Sequence, residues 1–223
     1  ISIWDQTFDT DGQTPYDRHA GLFSNQGAFD YGTEYHTGEI ESGGLSTGDT
    51  NGHGTHVAGT VGANGNADGA GKYKGMAPGV NYIVVKAGNG SFPSTNWVNG
   101  LNFCDKIADQ KGKPMVTNMS LGGQLGPHDG TSSRATAVDE VLEDGSASGR
   151  AVVVSAGNDG GKEIHTSTSI AASTSETVSI DVPSYTPRSS SENDLFSAQL
   201  WFDRKLEATA TVTTPNGATV TVA

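Results

Sequence analysis

Short, continuously apolar runs alternate with helically spaced stretches through roughly the first 170 positions of the chain. Residues 80–86 (Val-Asn-Tyr-Ile-Val-Val-Lys), 115–119 (Met-Val-Thr-Asn-Met) and 151–155 (Ala-Val-Val-Val-Ser) read as strands, and helices are predicted near 95–111 and 132–146. Strands that are apolar throughout and separated by helices of a dozen or more residues indicate βαβ units. The expectation is therefore α/β: a parallel sheet with helices on both faces. The second helix opens in a Ser/Thr cluster and stops at Gly145, as capping chemistry would have it. From about residue 171 the period changes to two. Residues 177–182, 195–202, 206–212 and 218–222 alternate as strands, with turns at Pro183-Ser184 and Pro215-Asn216-Gly217. The reading is an α/β domain over 1–170 and an antiparallel β module over 171–223. Four strands are fewer than the roughly seven or eight of a closed sandwich, so this module is expected to be incomplete. At the other end the sequence opens on Ile1-Ser2-Ile3-Trp4-Asp5, a strand ending in an acid. It lacks the basic and apolar segments of a secretory leader, and further chain is expected upstream.

Composition narrows the function classes. The chain carries 31 glycines and 8 prolines among 223 residues, above the roughly 12% these two types usually contribute, so it is rich in loops. Net charge is −12 and the isoelectric point about 4.7, the wrong sign for a nucleic-acid partner. No apolar run approaches the roughly 20 residues of a membrane-spanning helix, so no membrane partner is expected either. Cys104 is the one cysteine, which excludes an internal disulfide framework and a four-cysteine zinc site. Low lysine with abundant Gly, Asn, Ser and Thr suits a secreted protein and equally a soluble cytosolic one.

The densest chemistry lies in Asn51-Gly52-His53-Gly54-Thr55-His56-Val57-Ala58-Gly59-Thr60. Two histidines three apart stand one helical turn from each other. Gly54, Ala58 and Gly59 make a helix face small enough for close approach of a sheet. His53, at the start of such a helix, is a candidate general base, since imidazole titrates near neutrality. A metalloprotease signature requires histidines at i and i+4 with a glutamate between them; the spacing here is i and i+3 without one, so no metal ligands are assigned.

At this motif the sequence resembles subtilases, the subtilisin-like serine proteases: Gly52 through Thr60 is similar to their histidine block. The likeness continues in order. Gly75-Met76-Ala77-Pro78-Gly79 is similar to the segment before the family's next strand. Asn118-Met119-Ser120-Leu121-Gly122-Gly123 is similar to its substrate-binding strand, and Val154-Ser155-Ala156-Gly157-Asn158-Asp159-Gly160 to its oxyanion-hole block. The resemblance implies an Asp-His-Ser triad in that chain order. Asp5 then takes the acid's place, although Gln6-Thr7 follows where the family usually has Ser or Thr and then Gly. Asp9 and Asp11 are its rivals. His53 is implied as the base and Asn158 as the donor to the oxyanion of the tetrahedral intermediate. Ser120, Leu121 and Gly122 are implied to bind an extended peptide or protein substrate as an added strand, while Ala156 and Gly157 leave the neighbouring pocket open.

The family's Gly-Thr-Ser-Met-Ala-type nucleophile block does not follow Asn158. Gly130-Thr131-Ser132 precedes it, and helix capping accounts for Ser132. In some subtilases a jelly-roll-like module is inserted between the oxyanion asparagine and the nucleophile, and the β module from residue 171 is similar to such an insertion. The resemblance therefore implies a secreted serine endopeptidase whose serine lies outside this sequence, on the remainder of the same polypeptide. The alternative is a pseudoprotease that keeps the peptide groove. No cofactor is required. Calcium is common in the family as a loop-stabilising ion, and the Asp- and Gly-rich turns at 9–17 and 64–69 carry oxygen donors, without the spacing of an EF-hand loop.

Overall fold

Trp4, an inward-facing position of the opening strand, is fully buried in the core. The computed structural model describes residues 1–7, 12–69, 71–182, 184, 186, 197–203 and 205–222. In chain order the regular elements are β1 (Ser2–Asp5), α1 (Pro15–Arg18), α2 (Gln26–Phe29), β2 (Thr33–His36), α3 (Thr37–Ser42) and α4 (His53–Gly62). They continue as β3 (Ile83–Lys86), α5 (Ser94–Lys111), β4 (Met115–Met119), α6 (Ser133–Leu142), β5 (Arg150–Val154), β6 (Ala210–Thr213) and β7 (Thr219–Val222), with short 3₁₀ turns at Asn66–Asp68 and Glu143–Gly145. The chain forms two compact units. One comprises Ile1–Gly123 and His128–Gly157, and the other Gln124–Pro127 with the residues from Asn158 onward.

In the first unit β1 lies between β2 and β3. It pairs parallel with β3, Asp5 opposite Lys86, and antiparallel with β2, Ser2 opposite His36. A second parallel pair joins β4 and β5 in register, Met119 opposite Val154. The long helix α5 buries Trp97, Gly100, Leu101, Phe103, Cys104, Ile107 and Ala108, a stripe at three- and four-residue spacing. Gly100 is required by contact: a Cβ there would stand 2.9 Å from Val85 Cγ1, so helix and strand approach more closely than any side chain allows. Trp4 is fully buried, its ring centroid 5.1 Å from those of Tyr31 and Phe103, and its indole N–H donates to the Tyr31 carbonyl at 3.0 Å. Arg150 at the start of β5 donates to Asp105 at 2.7 Å and to Asp109, tying that strand to α5.

Four expectations change. Helices cover one face of the β4–β5 pair: Met115 and Met119 join the core with α5 and α6, whereas Val116 on the other face is 72% exposed and Val153 54% exposed. The strand expected over 177–182 is irregular, with Val178, Ile180 and Val182 exposed, because an alternating run forms a strand only when a partner takes its hydrogen bonds. Likewise 197–202 is irregular where described, and the strand expected over 206–212 begins only at Ala210. Pro183, Leu195 and Phe196 lie outside the described residues. The hairpin β6–β7 forms as expected, Ala210 opposite Val222, around a turn in which Gly217 takes φ 85°. In this stretch it is the one pair of strands among the described residues.

Candidate active site

The helix α4 begins at His53, and the loop before it is held by Asp49. One carboxylate oxygen of Asp49 accepts from the backbone N–H groups of Asn51 at 3.1 Å and Gly52 at 2.8 Å. The other accepts from the Thr55 N–H at 2.7 Å and the Thr55 hydroxyl at 2.8 Å. A carboxylate among the orphan donors of a helix N-terminus satisfies them and meets the positive end of the dipole. The Thr55 contacts, chiefly, hold the Asp49 carboxyl down at about 2. The His53 N–H donates to Asn51 Oδ1 at 3.3 Å, and its ring is exposed with no hydrogen-bond partner among the described residues. His56, one turn on, is exposed as well.

Close approach at α4 occurs at its far end rather than at Gly59, where an added Cβ would meet nothing within 4 Å. A Cβ on Gly62 would stand 2.6 Å from both Tyr82 Oη and Val80 Cγ1. Tyr82 also donates its hydroxyl to the Ala58 carbonyl at 2.7 Å. The helix is thus anchored at its C-terminal half and presents its histidine end to solvent.

Asp5 ends β1 and is fully buried. Its Oδ1 accepts from the Thr7 N–H at 2.8 Å and the Thr7 hydroxyl at 2.6 Å; its Oδ2 accepts from the Thr47 hydroxyl and from Lys86 Nζ at 3.1 Å. Burial pushes its carboxyl up, but the hydrogen bonds from Thr47 and Thr7, with Lys86, outweigh that and leave it below the ordinary value. None of these bonds reaches His53. Thr7, Thr47 and Lys86 also line an open depression of about 440 Å³ together with Ser46, Gly48, Thr50 and Asn89. Asp9 and Asp11 lie outside the described residues.

Beyond the carboxyl ends of β4 and β5 the two chains leave side by side. The Ser155 N–H donates to the Met119 carbonyl at 3.0 Å and the Ser155 hydroxyl to the Leu121 carbonyl at 3.1 Å, while Asn118 Nδ2 donates to Ser120 Oγ at 3.1 Å. Leu121 packs on the core, Gly122 is exposed with nothing within 4 Å of its Cβ position, and Ala156 and Gly157 are exposed. Asn158 belongs to the second unit, exposed, its amide without a hydrogen bond among the described residues. Ser132 caps α6, its hydroxyl accepting from the Ala135 N–H at 3.2 Å.

Sequence reasoning did not single out Asp49, Thr47 or Lys86. Asp49 carried a local signal, an acid just before a helix start, whereas Thr47 and Lys86 reach Asp5 from 42 and 81 residues away. Neither did it notice the group of three metal-ligating side chains that the described residues bring together, His19, Glu34 and His36. At the turn expected to carry oxygen donors, Asn64 Oδ1 accepts from the Asn66 N–H at 2.9 Å.

Comparison with known proteins bears on this arrangement. A profile of the subtilase family matches residues 1–214. Subtilisin-like protease 2 of Pseudogymnoascus destructans is 33% identical over 157 residues, which are 67% of this chain and 32% of that protein. An extracellular serine proteinase of a Thermus species is 39% identical over 118 residues, 52% of this chain and 24% of that protein. Among solved structures, that of the Clostridium perfringens CspB protease matches with a TM-score of 0.52 and 30% identity, over 60% of this chain and 30% of that one. The chain spans about a third or less of the length of these relatives.

Proposed function

Because the chain belongs to the subtilase family, we propose that it supplies the acid, the base, the oxyanion donor and the substrate strands of a serine endopeptidase. Its nucleophilic serine is carried by the remainder of the polypeptide. The observation that supports this is the position of the motif blocks, each at the carboxyl end of a strand, where open α/β sheets bind their ligands: Asp5 ends β1, Ser120–Gly122 follow β4, and Ala156–Gly157 follow β5. His53 takes the serine proton as the hydroxyl attacks the scissile carbonyl, and returns it to the leaving amine. Asp5 fixes the imidazole tautomer. In this role it exchanges its bond from Thr47 for one from His53 Nδ1. The unengaged amide of Asn158 donates to the oxyanion. An extended peptide or protein substrate lies along Ser120, Leu121 and Gly122, whose glycine leaves the backbone accessible, with Ala156 and Gly157 beside its side-chain pocket. Action outside the cell accords with the Thermus relative, which is named an extracellular proteinase.

A fluorophosphonate probe tests the assembled site, since it labels a serine only when a base activates it and donors stabilise the anion. The protein including its downstream sequence is expected to label at one serine outside this numbering. Labelling is lost in His53→Ala and kept in His56→Ala. Equal loss in both folded variants sinks the assignment of the base. A folded complete protein that does not label leaves only a peptide-binding surface.

A further inference from the structure

Glu34 is a glutamate with no exposed surface, and its charge needs an explanation independent of any peptidase reading. It sits in the middle of β2, where period two puts it on the same face as His36. His36 Nε2 lies 2.9 Å from Glu34 Oε1. His19, the residue that closes α1, brings its own Nε2 to 3.0 Å from Oε2 and 3.2 Å from Oε1. Ser2, paired across the strands with His36, donates its hydroxyl to Oε1 at 2.6 Å and fixes the carboxylate plane. Arg18, the nearest cation in sequence, is engaged elsewhere, with Glu39 at 2.6 Å.

We propose that His19, Glu34 and His36 form a binding site for a single divalent transition-metal ion, zinc by its donor set. Two imidazoles and one carboxylate are a three-ligand set that zinc takes with a fourth position left to water. Calcium is excluded by the same chemistry, since it selects all-oxygen shells. A tetrahedral ion with ligands at about 2.0–2.1 Å separates them by about 3.3 Å. The histidine nitrogens already stand 2.9–3.2 Å from the carboxylate oxygens, and all three ligand atoms lie within 4.8 Å of one another. On binding, each imidazole exchanges its contact with the Glu34 carboxylate for a bond from an Nε2 lone pair to the ion. His36, 44% exposed at its side chain, is the way in from solvent; His19 at 7% and Glu34 at 0% form the floor. Ser2 then serves as the outer partner that orients the ligating carboxylate. Such an ion clips the end of α1 to β2 and, through Ser2, to β1, three residues before Asp5.

The test is a titration of the metal-free full chain with zinc chloride against a chromophoric competing chelator, with cobalt(II) as a spectroscopic substitute. One equivalent of zinc is expected to bind, and cobalt to give the intense visible absorption of a tetrahedral site. His36→Ala, checked for folding by circular dichroism because the imidazole also meets the buried Glu34, is expected to weaken binding by about tenfold or more and abolish the cobalt spectrum, the scale on which a lost partner weakens a metal site. Glu34→Gln, checked for folding by circular dichroism, does the same, and His56→Ala leaves binding intact. No stoichiometric binding overturns the proposal, as does binding of equal strength in folded His36→Ala. Either result leaves His19 as a hydrogen-bonded counter-group to a buried carboxylate and nothing more.

Discussion

A carboxylate has about four lone-pair sites, and Asp5 has a donor on each: two from Thr7, one from Thr47 and one from Lys86. Taking Lys86 away leaves a buried charge short of one partner. The Asp5 carboxyl is held below its ordinary 3.8, so its contribution to stability is present in full above that pH and is lost as pH falls through its lower, folded-state value. Lys86→Met is expected to cost about 1.5–3 kcal/mol at pH 7, the range for a hydrogen bond to a charged group, and to move the acid-unfolding limb to higher pH. Urea titrations at pH 7 and pH 4 measure both, and an unshifted acid limb contradicts the ion pair. The sequence made Asp5 legible as an acid at a strand end, because that is a local feature. Its partners were not legible: Thr47 and Lys86 become neighbours only when β1 and β3 pair and the loop before α4 folds over them, and no local pattern carries that.

The same contrast holds among the elements. Helix α5 and strands β3, β4 and β5 were legible because each writes its own apolar period, and their observed bounds differ from the expected ones by at most three residues. Strand β2 escaped, since its Thr-Glu-Tyr-His carries a buried glutamate where an apolar run was sought. The 177–182 segment failed in the opposite way, with the period of a strand and no partner. Helix α4 shows how an element and a site depend on one another. Its first residue is the proposed base, and its N-terminal donors converge on Asp49. Asp49→Ala is expected to speed amide exchange at Asn51, Gly52 and Thr55, leave the anchored half near Ala58 and Gly62 protected, and, if the proposed base is right, lower fluorophosphonate labelling of the protein including its downstream sequence through a misplaced His53. Because the Asp49 carboxyl titrates only near 2, wild-type protection at these amides should persist down to about pH 3 and fade as pH drops through 2. Uniform loss of protection across α4 contradicts a local cap.

For the whole molecule, charge and exposed apolar surface act against each other. At neutral pH a net charge of −12 keeps copies apart, although Val116 and Val153 are each more than half exposed along the uncovered side of β4 and β5. Such a row on paired strands is the kind of surface that associates when repulsion is removed. Near pH 4.7 the net charge vanishes. Solubility is therefore expected to pass through a minimum there, with light scattering rising between about pH 5.5 and 4.7 and falling again on further acidification while the fold persists. Salt at neutral pH should raise scattering in the same direction by screening, within the roughly 10 Å Debye length of 0.1 M solution. The double variant Val116→Thr, Val153→Thr separates the two causes. If the open sheet face drives association, the variant stays dispersed at pH 4.7 although its charge is unchanged. If it scatters as strongly as the parent, charge neutralisation alone suffices and the exposed valines are inert.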